Sequence, residues 1–153
     1  MPDATPDAVP FTTFNFQVLI SVDGIEGTVC RAEFSDCDGL ELSMTPKTLR
    51  EGGSNARQIH LAGPVGYGQL TLKRGMTPDD GLWRWFELLR TAPKQRGQAV
   101  VGVLSPDRTR VDVRFVLTNC LPVKLKAPAL SGKDGLLAIE ELQLAYECLA
   151  RQA

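Results

Sequence analysis

The chain has 153 residues, 43% of them hydrophobic and 23% charged, with a formal net charge of −1. That length buries a core without disulfide help, and the composition is ordinary for a globular chain. Near-neutrality excludes bulk electrostatic attraction to nucleic acid or an anionic membrane, and no apolar run reaches the ~20 residues of a membrane-spanning helix.

Residues 1–13 carry Pro2, Pro6 and Pro10 with Asp3 and Asp7 and few apolar anchors, which predicts a flexible N-terminal arm. They lack the basic and apolar regions of a secretory signal. Residues 14–150 then read as one domain. Phe14, Phe16, Val18, Ile20 and Val22 share one parity, against Asn15, Gln17, Ser21 and Asp23 on the other. This is the period of a half-buried strand. Asp23-Gly24 and Gly27 mark a turn, and Thr28 to Phe34 returns as a second strand. Leu40 to Thr45 alternates again. The chain runs out through Gly52-Gly53 and back through Gln58 to Leu61, a two-stranded excursion expected to project beyond the domain as a loop around residues 45–62.

Gln69 to Lys73 is the next strand. Thr77-Pro78-Asp79-Asp80 predicts a helix start, with Thr77 as cap, Pro78 in the first turn and two carboxylates at the positive end. Leu82, Trp85, Phe86 and Leu89 form one apolar stripe, and Pro93 stops the helix near Ala92. Val100 to Leu104 is an apolar strand. Ser105-Pro106-Asp107 turns into a second, in which Val111, Val113, Phe115 and Leu117 alternate with polar residues. The last segment, Gly135 to Ala150, is rich in helix formers. Its Leu142, Leu144, Tyr146 and Cys148 nevertheless alternate with Glu141, Gln143, Ala145 and Glu147, and the period predicts a strand. About seven strands and one helix point to a mainly β fold, an antiparallel β-barrel or sandwich with one helix packed on it.

Chemistry-bearing groups are sparse. Cys30, Cys37, Cys120 and Cys148 have no C-x-x-C spacing and His60 is the single histidine, so zinc ligation is not expected. The Gly-Gly-Ser-Asn tip lacks the ending of a phosphate loop. His60 lies in a strand-like segment and is read as structural or surface. Glu140 and Glu141 point to opposite faces of a strand and cannot share a site. Trp85 lies on the apolar stripe, whereas Trp83 is rotated off it and is the better candidate for an interface. Lys73 and Arg74 are expected to form a salt bridge between subunits, with Arg50-Glu51 as the opposite-charge partner type.

Several motifs, in order, resemble the tail tube proteins of contractile phages and contractile injection systems. They are Gly39-Leu40, Glu51 to Asn55, Leu70-Thr71-Leu72-Lys73-Arg74-Gly75, Leu82 to Trp85, and Ala138 to Ala145. The resemblance runs from about Phe14 to Leu149. Departures are mild: Phe115 where a tryptophan is common, Leu61-Ala62-Gly63 for Leu-Pro-Gly, and Cys120-Leu121 before Pro122.

The resemblance implies a structural, non-enzymatic subunit with no cofactor, which forms homo-hexameric rings stacked into a tube with a central channel. The implied partners are a sheath protein, baseplate and tube-terminator proteins, with cargo or DNA in the lumen. The implied location is the cytoplasm on synthesis, then a phage tail or injection particle, including one released from the cell. The implied assembly residues are Arg50, Glu51, Gly52, Gly53 and Asn55 on the loop, with Lys73, Arg74 and Trp83 on the domain. Two alternatives are a small β-barrel ligand-binding or enzymatic domain, with a pocket lined by Trp83 or His60, and a type VI secretion hexameric tube protein.

Overall fold

The computed structural model describes residues 15–32, 34–50, 57–133, 135 and 137–152. The element order is β1 (Phe16–Val22), β2 (Thr28–Ala32), β3 (Asp36–Asp38), β4 (Leu42–Met44), β5 (Lys47–Arg50), β6 (Gln58–Leu61), β7 (Val65–Tyr67), β8 (Gln69–Gly75), α1 (Gly81–Thr91), β9 (Gly97–Leu104), β10 (Val111–Lys126), β11 (Ile139–Ala145) and β12 (Cys148–Gln152). Among the described residues the fold is mainly β with one helix, and every strand pair is antiparallel.

Strand order in the main sheet is β2-β1-β9-β10-β11-β8-β3, with β12 also on β10. The 16-residue β10 is the joint. Its first half pairs with β9 and β12, and its second half with β11. The register slips between Leu117 and Cys120, where Asn119 takes a φ of 51°. It slips again between Pro122 and Lys124. A proline donates no ladder hydrogen bond and is accommodated at such a bulge. The strand therefore bends and serves two layers. The predicted barrel is not closed: the strand path begins at β2 and ends at β3.

The core lies between these layers and the helix. Val18, Ile20, Ala99 and Leu117 come from one side, Leu70, Leu72, Leu142 and Leu144 from the other, and Leu82 and Trp85 from α1, all buried. The inward parities of β1 and β11 are those of the sequence pattern, and β8 turns Leu70, Leu72 and Arg74 inward. Residues 139–145 are strand despite their helix-forming composition, because the pairing partners on both sides are strands.

Two local expectations need correction. The helix starts at Gly81, four residues after Thr77, with Asp80 at its N-cap. Thr77 Oγ1 accepts the Asp79 N–H (3.3 Å), and Asp79 Oδ1 accepts the Gly81 N–H (2.9 Å). The Thr-Pro-Asp-Asp run is thus a turn that leads into the helix. The reason for the late start is packing. A Cβ at Gly81 would stand 2.0 Å from the Val29 carbonyl oxygen, so this end of α1 lies directly against β2. The strand tally is also higher than seven. β3 and β7, three residues each, lie between the predicted strands, and β7 falls in a glycine-rich stretch without any alternation to reveal it.

Candidate assembly interface

Residues 41–50 and 57–68 form an arm. β5 and β6 pair as Lys47↔Leu61, Thr48↔His60, Leu49↔Ile59 and Arg50↔Gln58. Nearer the body, β4 and β7 pair as Leu42↔Tyr67, Ser43↔Gly66 and Met44↔Val65. The two ladders are separated by Thr45-Pro46 on one side and by Ala62-Gly63-Pro64 on the other. Every residue from 41 to 50 is exposed. Directly opposed residues share a face. Leu42, Met44, Val65 and Tyr67 therefore lie on one face of the inner ladder, and Leu49, Ile59 and Leu61 with Lys47 on one face of the outer. Of the ten large apolar side chains that stand exposed among the described residues, five are on this arm. A cluster of that kind on a chain that also buries a full core marks a surface made for contact.

The arm is held at its root by Tyr146. The phenol is buried (6% exposed) and donates to the Gly39 carbonyl at 2.7 Å, while the Glu41 N–H donates to it at 3.2 Å. The rings of Tyr67 and Tyr146 meet with centroids 5.7 Å apart. Gly39 has a φ of +104°, and a Cβ there would lie 1.9 Å from the Gln69 carbonyl oxygen. Only glycine fits that turn. The strand pattern had placed Tyr146 among core residues. Its hydroxyl is what the pattern could not place, and a lone polar atom on an inward parity was the available signal.

The predicted site residues fall in different places. Arg50 is exposed on β5. Glu51, Gly52, Gly53 and Asn55 lie outside the described residues. Lys73 is half-buried on the outer face of β8 and lines an open groove of about 460 Å³ with Lys126, Leu130, Leu137 and Glu141. Leu130 and Leu137 are 81% and 77% exposed. His60 is exposed on the arm.

Arg74 is the clear departure. It is 3% exposed and paired across the ladder with Glu140, which is 4% exposed. Nε lies 3.1 Å from Glu140 Oε2, Nη1 donates to Cys30 Sγ at 3.1 Å, and the guanidinium stands 5.6 Å from the Phe34 ring centroid. The salt bridge predicted between subunits is, for Arg74, a bridge inside the subunit. Parity explains it. Arg74 continues the inward row of Leu70 and Leu72, and Glu140 that of Leu142 and Leu144. Two opposite charges facing each other let both rows keep their register.

Trp83 joins the same cluster. Its indole N–H donates to Glu140 Oε1 at 2.8 Å, while the residue remains 42% exposed. Trp85 is fully buried. One tryptophan therefore fills the core and the other bolts the helix to β11, leaving part of its ring on the surface.

Burial pushes the Cys30 thiol up to about 11, Cys37 to about 12 and Cys120 to about 11; Cys148 is exposed. All four are free thiols. Among the described residues, no three His, Cys, Asp or Glu side chains converge as metal ligands. No helix among the described residues is long and apolar enough to cross a membrane.

The fold recurs in known assemblies. The chain is similar to a chain in the anti-feeding prophage baseplate: 25% identity, a TM-score of 0.82, and coverage of 95% of this chain and 97% of that one. It is also similar to one in the PVC sheath-tube complex of an extracellular contractile injection system in its extended state: 19% identity, TM-score 0.78, 94% and 92% covered. Hcp1 from Salmonella typhimurium shares the fold more distantly: 13% identity, TM-score 0.54, 90% and 85% covered. No curated protein sequence matches the chain. The model of the T4-like virus tail tube protein gp19 family matches residues 12–150. With an arm presenting an apolar face, an open sheet and this match over nearly its whole length, the chain belongs to the T4-like virus tail tube protein gp19 family and is a structural tube subunit.

Proposed function

We propose that six copies of this chain close into a ring, and that rings stack into a tube with a central channel inside a contractile apparatus. The observation that carries this reading is the open strand path from β2 to β3 in a chain of a tube family. Exposed strand edges must be paired, covered or closed. Copies arranged in a ring close them, and the barrel then belongs to the ring, since no single subunit completes it. Backbone ladders shared between subunits give the tube the stiffness that penetration of an envelope requires.

Residues 14–150 act as one domain in this reading, with residues 1–13 as an N-terminal arm. The loop of Arg50, Glu51, Gly52, Gly53 and Asn55 governs stacking. Lys73 and the exposed part of Trp83 face a neighbouring copy. The partners are a sheath, a baseplate and a tube terminator; these are the kinds of assembly in which the similar chains are found. Cargo or DNA occupies the lumen. The subunit is made in the cytoplasm and ends in a phage tail or released injection particle, and its role is mechanical, without catalysis. The ligand-binding alternative has less support: the groove lined by Lys73, Lys126 and Glu141 includes neither Trp83 nor His60.

Sedimentation and negative-stain images of purified protein test the proposal. Rings are expected, with tubes at high concentration. A strict monomer over a wide concentration range overturns it; rings without tubes support it, because stacking can need a baseplate to start. Gly52→Val/Gly53→Val should leave the circular dichroism spectrum near native and block tube formation in a particle assembly assay.

A further inference from the structure

The charge on this chain is segregated. Residues 23–41 hold six acidic residues and one basic, whereas residues 42–68 hold three basic and one acidic. The acidic segment supplies β3, which ends the strand path, and there Asp36 and Asp38 are exposed. The basic segment is the arm. Lys47 and Arg50 are exposed on β5 and Arg57 is exposed just before β6. None of the three basic side chains makes an ion pair among the described residues.

The arm starts at Glu41, three residues after the end of β3, and its two ladders are separate from the sheet that β3 ends. Ten extended residues span about 33 Å. A chain of this length has a radius of gyration of about 15 Å. An arm of that reach can carry its charges to the acidic edge of another copy.

We infer that the arm of one copy lies against the β3 edge of a second copy, with Lys47, Arg50 and Arg57 facing Asp36 and Asp38. This names the partner surface for the arm and rests on the tube reading above. The contact is heterologous: the arm and the edge are different surfaces of one chain, so it propagates from copy to copy and can close a ring or continue along a stack. The arm's apolar face supplies the dry centre of the contact, and the opposite charges form its rim and set register and partner choice. The two aspartates have a second effect. They keep β3 edges of two copies from pairing with each other, since like charges directly opposed repel.

Charge reversal tests this on the full chain, read as the assembled fraction in sedimentation and negative-stain images. Lys47→Glu/Arg50→Glu and Asp36→Lys/Asp38→Lys should each cut assembly at least roughly tenfold, as like-charge juxtaposition at an interface does. Combining all four, or mixing the two reversed chains, should restore most of it. Asp36 opposes Lys73 across the ladder, so Asp36→Asn/Asp38→Asn is a second edge variant that adds no repulsion within the subunit. It should weaken assembly and flatten its salt dependence. If the unmutated chain assembles and the reversals show no rescue in combination, the arm–edge contact is wrong and the tube reading stands. If the unmutated chain remains monomeric, both fall.

Discussion

The body and the arm of this chain are made of the same material, short alternating strands, and they differ in what stands against them. In the body, the inward rows of β1, β8 and β11 meet each other and α1, and residues such as Ile20, Leu72 and Leu144 are fully buried. In the arm, Leu42, Met44, Leu49, Leu61 and Val65 sit in comparable rows and are 43–59% exposed. Alternation thus reports that a strand has an apolar face and leaves open whether that face is covered by the chain itself or by another. The body's alternation stabilises the fold. The arm's stands uncovered within the chain, and Tyr146 joins the two regions.

Truncations in the body should have the largest effects. Trp85→Ala should lower the unfolding free energy by about 3–5 kcal/mol. Arg74→Ala, which strands the buried Glu140 carboxylate, should cost a similar ~3–5 kcal/mol. Denaturant melts of the isolated subunit measure both. A loss under 1 kcal/mol in either case, well below the ranges just given, would mean that the core described here is not the one that holds the fold.

Intermediate effects belong to the joints. Tyr146→Phe removes the hydroxyl bound to Gly39 and Glu41 and keeps the ring, so it should cost about 1–3 kcal/mol. It should also raise hydrogen exchange in β4 and β7 above that in β8. Equal exchange in all three strands would show that the arm is anchored elsewhere. Trp83→Phe, which deletes the N–H held by Glu140, belongs to the same group. It should lower subunit stability as well as assembly, whereas a rotation off the apolar stripe alone would have implied assembly only.

The arm itself should be nearly silent in stability. Leu49→Ser should change the unfolding free energy by no more than about 0.5 kcal/mol while reducing assembly. A large loss of subunit stability would place Leu49 in a contact within the chain.

Thiol reactivity gives the finest comparison. At pH 8 in the native state, Cys148 should react quickly with a thiol reagent, and Cys30, Cys37 and Cys120 only on unfolding. Burial lifts these three from 9.0 to about 11, 12 and 11 respectively. Raised folded values mean that their contribution to stability is complete below pH 9 and is lost as the pH rises toward 11 to 12. Rapid native labelling of Cys120 would contradict its burial.

What the amino-acid sequence determined by itself is the local part of the structure. Periods of 2 and 3.6 identified β1, β11 and the buried stripe of α1, because side-chain direction depends only on neighbouring residues. The motif order pointed to the tube family. Tertiary structure decided the matters that depend on distant partners. Arg74 and Glu140 are 66 residues apart, and each looks like a surface charge until the other is opposite it. Tyr146 reaches Gly39 across 107 residues. β10 runs on through Pro122 because a bulge absorbs the missing donor, and the strand path stays open at β2 and β3. Burying a charge, bending a strand and leaving an edge free are each settled by the group that lies across the gap, and a chain read in order does not show that group.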